Sequence, residues 1–167
     1  MNNNLWCYTI YRFNKERENY KLNEMFKLFW EIYMSENKTI PEGYIINERR
    51  GPYTNHNGPF YIKEESNKWI HGAFILDRHC NAANIAHGGM LMAFADGVLG
   101  HTVYYSTKRA GVTIKFNSEF LSAAREGEWI EGYGNVSQLK GDYVYCDTML
   151  KVSTRNVLSV TSIFKLR

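Results

Sequence analysis

The chain has 167 residues, of which 44% are hydrophobic and 15% are aromatic. This length and composition exclude a disordered chain and favour one globular domain with a substantial core. The net charge is only +3, and the basic residues are scattered among acidic ones, so no nucleic-acid partner is expected.

Cysteine spacing and hydropathy give an expectation for the cellular compartment. Cys7, Cys80 and Cys146 are odd in number and lack the spacing of a zinc site or a disulfide framework, which favours reduced thiols. The first 16 residues contain no apolar stretch typical of a signal peptide, and no segment is long and apolar enough to span a membrane. We therefore expect a cytoplasmic protein without a membrane partner.

The N-terminal third of the chain predicts one helix and a loop. Hydrophobic residues such as Leu22, Phe26 and Phe29 recur at helical spacing between charged ones, which predicts an amphipathic helix over about 20–34. Glycine and proline interrupt residues 35–60, which predicts an extended loop with at most one short strand. We divide the chain into an extension, residues 1–55, and a main domain, residues 56–167.

The main domain alternates hydrophobic and polar residues, a pattern typical of β-strands. Turn residues follow Leu139 and Ser153, so the last three strands are expected to form an antiparallel meander. The five predicted strands are Trp69–Arg78, Val112–Leu121, Glu128–Leu139, Tyr143–Ser153 and Val157–Leu166.

One helix interrupts these strands and carries the most informative residues. Residues 90–99 are almost wholly apolar, which predicts a helix buried on all sides, yet Asp96 lies within it. A carboxylate in such a place must be paired, hydrogen-bonded or protonated, because burying it bare costs several kcal/mol or more. Such a residue is usually present for chemistry. An antiparallel sheet wrapped around this long helix is the economical fold, so the predicted class is α+β.

The start of this helix predicts a site for a negatively charged oxygen. His87 is expected to cap the helix, and the amides of Gly88, Gly89 and Met90 then lie at the positive end of the helix dipole. There they can hold a carbonyl oxygen that becomes an oxyanion. Asp96 is nine residues beyond His87, roughly 13 Å along the axis, so the two ends cannot act on one bond within one subunit.

These residues resemble the pattern of the hot-dog thioesterases, in particular the PaaI-like acyl-CoA thioesterases. The family pattern is an asparagine, His-Gly-Gly six residues later, and an aspartate nine residues after the histidine. Asn81, His87 and Asp96 meet all of these spacings. The resemblance runs from about Gly58 to Leu166. Asn84 stands where relatives usually have glycine, and a left-handed backbone there explains both residues.

The resemblance implies a hot-dog fold and an acyl-CoA thioesterase with no metal and no cofactor beyond the coenzyme A of its substrate. Asp96 is then the general base or the nucleophile, and Asn81 orients the water or the thioester. Gly88 donates its amide to the oxyanion, and His87 holds the loop. Thr113 replaces a serine of some relatives, and its hydroxyl is expected to hydrogen-bond Asp96 or water.

The family assembles as homodimers or homotetramers, which implies that Asn81, His87 and Gly88 of one subunit face Asp96 and Thr113 of another. A second subunit closes the gap along the helix.

Coenzyme A carries several phosphate charges, which basic side chains bind. The candidate contacts are Gly89, Lys108, Arg109, Arg125 and Lys140.

Other functions remain in competition with hydrolysis. A non-catalytic hot-dog module that binds acyl-CoA as a sensor or scaffold is the alternative, although such a module needs no carboxylate inside the helix. A hot-dog hydratase or dehydratase needs a differently placed histidine or aspartate pair. The sequence contains no HExxH, GxSxG or GxxxxGK[ST] motif, which argues against a metalloprotease, a serine hydrolase and a P-loop protein. The acyl group stays open, because aromatic residues such as Phe94, Tyr104, Tyr105 and Phe116 fit either a pocket or the core.

Overall fold

The computed structural model describes residues 39–48 and 51–167. They form an antiparallel sheet of eight strands packed against one long helix, as the predicted α+β class requires. In chain order the elements are β1 (Ile45–Ile46), α1 (Pro52–Asn57), β2 (Tyr61–Glu65), β3 (Lys68–Phe74), a 3-10 turn (Asp77–His79), α2 (Gly88–Thr107), β4 (Gly111–Phe120), β5 (Trp129–Gly132), β6 (Gly134–Lys140), β7 (Tyr143–Val152) and β8 (Arg155–Leu166).

The strand order decides which parts of the sheet are accessible to a partner. The order is β1-β2-β3-β5-β7-β8-β4, and β6 pairs with β7 beside β5. The predicted meander of the last strands is confirmed, because β6, β7 and β8 pair antiparallel in sequence. Among the described strands β4 ends this order, so one of its edges has no strand beside it.

The long helix is both longer and less buried than its sequence predicts. It runs on to Thr107, although β-branched residues after Gly100 are poor helix formers. The helix buries one face in the core, through Leu91, Phe94, Ala95, Val98, Leu99 and Val103. Met92 and Tyr104 lie outside this face and are exposed, so the prediction of burial on all sides is wrong for the single chain.

Three elements were not anticipated from the sequence. β2 pairs with β3 through a tight turn at Ser66 and Asn67, which both have positive φ. The predicted strand 128–139 is divided at Tyr133 into β5 and β6, and the glycines on either side of it lie against other side chains. A Cβ on Gly134 would lie 2.3 Å from Thr102 Oγ1. α1 lies in the region predicted as a loop.

The predicted helix over residues 20–34 lies outside the described residues and stays a prediction. The boundary at residue 55 also stays a prediction; the compact unit that contains the sheet begins at Pro41. Within the described part of the chain, no helix combines the length and apolarity needed to cross a membrane.

Candidate active site

The start of α2 presents one backbone amide for a ligand. His87 is the N-cap, and its Nδ1 accepts a hydrogen bond from the Gly89 amide at 2.9 Å. The amides of Met90 and Leu91 donate to the carbonyl oxygen of His87. The Gly88 amide has no hydrogen-bond partner among the described residues. Of the three amides predicted to hold an oxyanion, Gly88 is therefore the available one, at the positive end of the helix.

The loop before the helix is closed by a turn at Asn81. The Asn81 side-chain oxygen accepts a hydrogen bond from the Ala83 amide at 2.9 Å, and the Asn81 carbonyl accepts one from Asn84. Asn84 has a φ of 55°, the left-handed conformation predicted for it. The turn uses the oxygen of the Asn81 carboxamide, and the side chain is exposed. Its amide nitrogen is the atom suited to donate to a ligand.

Asp96 and Thr113 are in direct contact. Thr113 Oγ1 donates a hydrogen bond to Asp96 Oδ1 at 2.6 Å. This contact joins the middle of α2 to β4, the strand at the end of the sheet. The carboxylate is half-buried rather than buried, so it is open to water or substrate in the single chain. The hydrogen bond from Thr113 to one oxygen holds the Asp96 carboxylate in one orientation.

The two halves of the predicted site are apart within one chain. Gly88 and Asp96 lie on one continuous helix, eight residues from each other. That spacing corresponds to about 12 Å along the axis. The structure thus places Asn81, His87 and Gly88 at one end, and the Asp96–Thr113 pair more than two turns further along.

An ion pair that the sequence did not indicate stabilises the segment that contacts the loop before α2. Arg155 donates to both carboxylate oxygens of Glu128, at 2.7 and 2.8 Å. Glu128 also accepts a hydrogen bond from the amide of Arg125. Partial burial works to raise the pKa of Glu128, but the Arg125 amide and the Arg155 guanidinium outweigh it and lower that pKa. The adjoining Ala124 carbonyl accepts from the Ala86 amide, one residue before His87.

A buried histidine fixes the other side of the loop. His79 Nδ1 accepts a hydrogen bond from the Leu76 amide at 3.1 Å, and its Nε2 donates to the Asn57 carbonyl at 2.7 Å. These two bonds require the neutral ring with its proton on Nε2. Burial lowers the pKa of His79, and the neighbouring Arg78 cation adds to this. The His79 carbonyl accepts from the His87 amide, which joins this turn to the helix cap.

The described cysteines, Cys80 and Cys146, are free thiols whose pKa values are raised. Burial, together with the nearby charges of Asp147 and Asp96, raises the pKa of Cys146 to about 12, so this thiol stays protonated at neutral pH. Cys80 is also free, and burial raises its pKa. Cys7 lies outside the described residues. No group of three or more metal-binding side chains comes together in the described part of the chain.

The basic residues predicted to bind coenzyme A lie near the two ends of α2. Arg125 forms a β-bridge with Ile85 in the loop before α2 and is exposed. Lys108 caps the far end of the same helix and lies over the Tyr105 ring. Arg109 pairs with Asp142 at 2.9 Å, and Lys140 is close by in the same turn region. Within one chain only Arg125 is near Gly88.

Comparison with known proteins identifies the family. The family model described as "Thioesterase superfamily" matches residues 83–158. A protein of Pseudomonas aeruginosa, "Putative esterase PA0474", is 30% identical over 130 residues, which cover 76% of this chain and 97% of that protein. The chain therefore belongs to the thioesterase superfamily.

Solved structures share the fold. A hypothetical thioesterase of Streptococcus pneumoniae, solved with coenzyme A, is 19% identical and has a TM-score of 0.60, with 65% of this chain and 85% of that chain covered. A phenylacetic acid degradation-related protein of Ralstonia eutropha is 18% identical, with a TM-score of 0.63 and coverage of 71% and 93%. The predicted hot-dog fold is confirmed.

Proposed function

We propose that the protein hydrolyses acyl-CoA thioesters to a carboxylic acid and free coenzyme A. The observation that carries this proposal is the hydrogen bond from Thr113 to Asp96, because it orients a carboxylate at the family's spacing from an available helix amide, Gly88. Membership of the thioesterase superfamily supports the reaction. The coenzyme A bound to the related Streptococcus pneumoniae protein supports coenzyme A as the carrier of the acyl group.

The proposed reaction uses one base, one water and oriented donors. Asp96 takes a proton from water as the water oxygen attacks the thioester carbonyl carbon. The carbonyl oxygen becomes an oxyanion and accepts the Gly88 amide hydrogen bond. The tetrahedral intermediate then collapses, the C–S bond breaks and the thiolate leaves with the bonding electrons. A thiol pKa of about 8.5 makes this leaving group good enough without a strong acid.

A second route uses the same residues. Asp96 attacks the carbonyl carbon itself, which expels the thiolate and forms a mixed anhydride that water then hydrolyses. In both routes Asn81 orients the thioester or the water, and His87 holds the helix start. Both routes need an oxyanion donor at Gly88.

The site is proposed to form between two copies of the chain. About 12 Å of helix separates Gly88 from Asp96, so one thioester is contacted by Gly88 of one copy and Asp96 of the other. The unpaired edge of β4 fits this pairing. Three apolar side chains on or next to β4 are about half exposed: Ile114 (52%), Phe120 (56%) and Leu121 (49%). Exposed apolar residues at a strand edge favour burial against a partner. The assembly is a homodimer or a tetramer made of such dimers.

The proposed coenzyme A contacts follow from this arrangement. Arg125 and Gly89 lie near the helix start and contact the coenzyme A bound there. Lys108, Arg109 and Lys140 are at the far end of α2, so they reach the same molecule from the partner. Lysine and arginine bind phosphate groups well, the latter in a bidentate manner.

The test is release of free thiol from a panel of acyl-CoA thioesters by the wild type, Asp96→Asn and Asp147→Asn. Asp147→Asn removes a carboxylate on β7 that accepts a hydrogen bond from Asn135 rather than from Thr113, and is the matched control. We expect turnover by the wild type and the control and its loss in Asp96→Asn. Binding of acyl-CoA without hydrolysis by the wild type contradicts the proposal and favours the non-catalytic module.

A further inference from the structure

The ring of Phe120 lies against the first residue of α2. A Cβ added to Gly88 would lie 3.0 Å from Phe120 Cζ and 3.1 Å from Phe120 Cε1. Because a Cα–Cβ bond is about 1.5 Å long, Cζ is no more than about 4.5 Å from the Gly88 Cα. The outer edge of the ring therefore borders the backbone amide that is proposed to hold the oxyanion, and both belong to the same chain.

The backbone around Phe120 fixes the place of the ring. Phe120 is the last residue of β4 and pairs with Leu158 of β8. The next amide, that of Leu121, donates to the Val157 carbonyl at 2.9 Å. Phe116 is four residues earlier on the same face of the strand and packs against the core. The strand thus reaches the helix start with its side-chain direction already set.

The segment that follows Phe120 is attached to the loop that leads into α2. The Ala124 carbonyl accepts a hydrogen bond from the Ala86 amide at 2.7 Å, and Arg125 forms a β-bridge with Ile85. These backbone contacts join the end of β4 to the helix start without using the Phe120 ring. The ring and the first amide of α2 are therefore held at a fixed separation by the chain on both sides.

Packing of the core does not account for the contact between the ring and the helix start. Phe120 is half-exposed and stands outside the buried core of the described residues, and Gly88 has no side chain for the ring to pack against. The Gly88 amide itself has no hydrogen-bond partner among the described residues. An amide hydrogen bond is electrostatically stronger where the surroundings are apolar and water is excluded.

We propose that Phe120 is a positioning residue of the thioesterase site. Its ring keeps water away from the Gly88 amide, so that the hydrogen bond to the oxyanion forms in apolar surroundings. The ring makes and breaks no bond and acts through the amide beside it. This inference rests on the proposed thioesterase function, and it adds to that site a residue outside the pattern formed by Asn81, His87 and Asp96.

The test is Phe120→Leu, with kcat and KM measured by thiol release from the acyl-CoA that the wild type hydrolyses fastest. Leucine has no atoms beyond Cδ, so it loses the two ring atoms nearest to Gly88 and keeps an apolar side chain for a subunit interface. The oxyanion forms only in the transition state. We therefore expect kcat to fall about tenfold and KM to change less than about twofold. Phe120→Met, with a long unbranched apolar side chain, restores kcat to within about threefold of the wild type.

The matched control is Tyr133→Leu, which removes another exposed ring. Tyr133 precedes Gly134, which lies against Thr102, 14 residues beyond Gly88 and about 21 Å along the helix. This control leaves both constants unchanged. All proteins are assayed at a concentration at which light scattering gives them the wild-type mass, so that a loss of assembly does not lower kcat.

The outcomes separate this role from the proposed reaction. Turnover by the wild type with an unchanged kcat in Phe120→Leu overturns the role of the ring and leaves the reaction standing. A higher KM at unchanged kcat overturns it too, because the ring then contributes to substrate binding rather than to the oxyanion. A wild type that releases no thiol from any acyl-CoA overturns the reaction and, with it, this role.

Discussion

At Gly88, a single substitution directly tests the role of a backbone amide. Gly88 is the first residue of α2, where proline is tolerated because its missing N–H has no intrahelical partner. The preceding His87 has φ −62° and ψ 134°, a conformation that proline accepts in its neighbour. Gly88→Pro therefore removes the proposed oxyanion donor and keeps the helix. We predict a fall in kcat of about 10² to 10³, measured by thiol release.

The control for this change is Gly88→Ala. A Cβ at this position lies 3.0 Å from Phe120 Cζ in both variants, so any shift of that ring is common to both and cancels in the comparison. Alanine keeps the amide, so Gly88→Ala retains most of the activity. Equal activity of the two variants means that the Gly88 amide is not the donor.

For single residues, the sequence predicts local backbone geometry better than contacts between residues that are far apart in the chain. The left-handed conformation of Asn84 follows from its residue type, and the contact of Asp96 with Thr113 is one of two considered for that hydroxyl. The pairing of Glu128 with Arg155 was missed, because the residues are 27 positions apart and no local pattern joins them. The distance between such residues is fixed by the fold as a whole.

Among the elements, the attachment of α1 makes stability depend on pH. His79 holds the end of α1 as a neutral ring, and its pKa in the folded state is lowered by burial. In the unfolded chain its pKa is near the ordinary value of about 6.5. Below pH 6.5 the unfolded chain thus binds a proton that the folded chain does not. Stability is fully present above that pH and falls as the pH drops toward the folded-state pKa.

Urea unfolding of the wild type and His79→Gln at pH 7.5 and 5.5 checks this prediction. A difference of one bound proton makes the free energy of unfolding change by up to about 1.4 kcal/mol per pH unit. His79→Gln is less stable than the wild type at pH 7.5, but it loses less stability on acidification. The prediction fails if both proteins lose the same amount between the two pH values.

Element prediction succeeds where turn residues and alternation agree. Gly141 has a positive φ of 58° in the turn between β6 and β7, as expected for a hairpin. β2 was missed because Lys63, Glu64 and Glu65 hide its alternation, and Ser66-Asn67 is a weaker turn signal than Asn-Gly. The extra length of α2 comes from tertiary packing of Val103 in the core, which overrides weak helix propensity.

For the whole molecule, we propose a catalytic site shared between subunits. The family pattern indicates its residues, and the separation of Gly88 from Asp96 along α2 is the reason we propose a second copy. The open edge of β4 and the half-exposed Asp96–Thr113 pair lie on the same part of the chain. In a two-fold dimer two identical surfaces meet, so such a dimer contains two equivalent sites.

The most direct test mixes two inactive variants, Gly88→Pro and Asp96→Asn, by refolding them together at equal amounts. A mixed dimer contains one site with both defects and one with neither. With random pairing, half of the dimers are mixed, so thiol release should return to about a quarter of the wild-type rate. Each variant refolded alone serves as the control and stays inactive. Recovery to that level supports a shared site, whereas a mixture as inactive as the separate variants contradicts it.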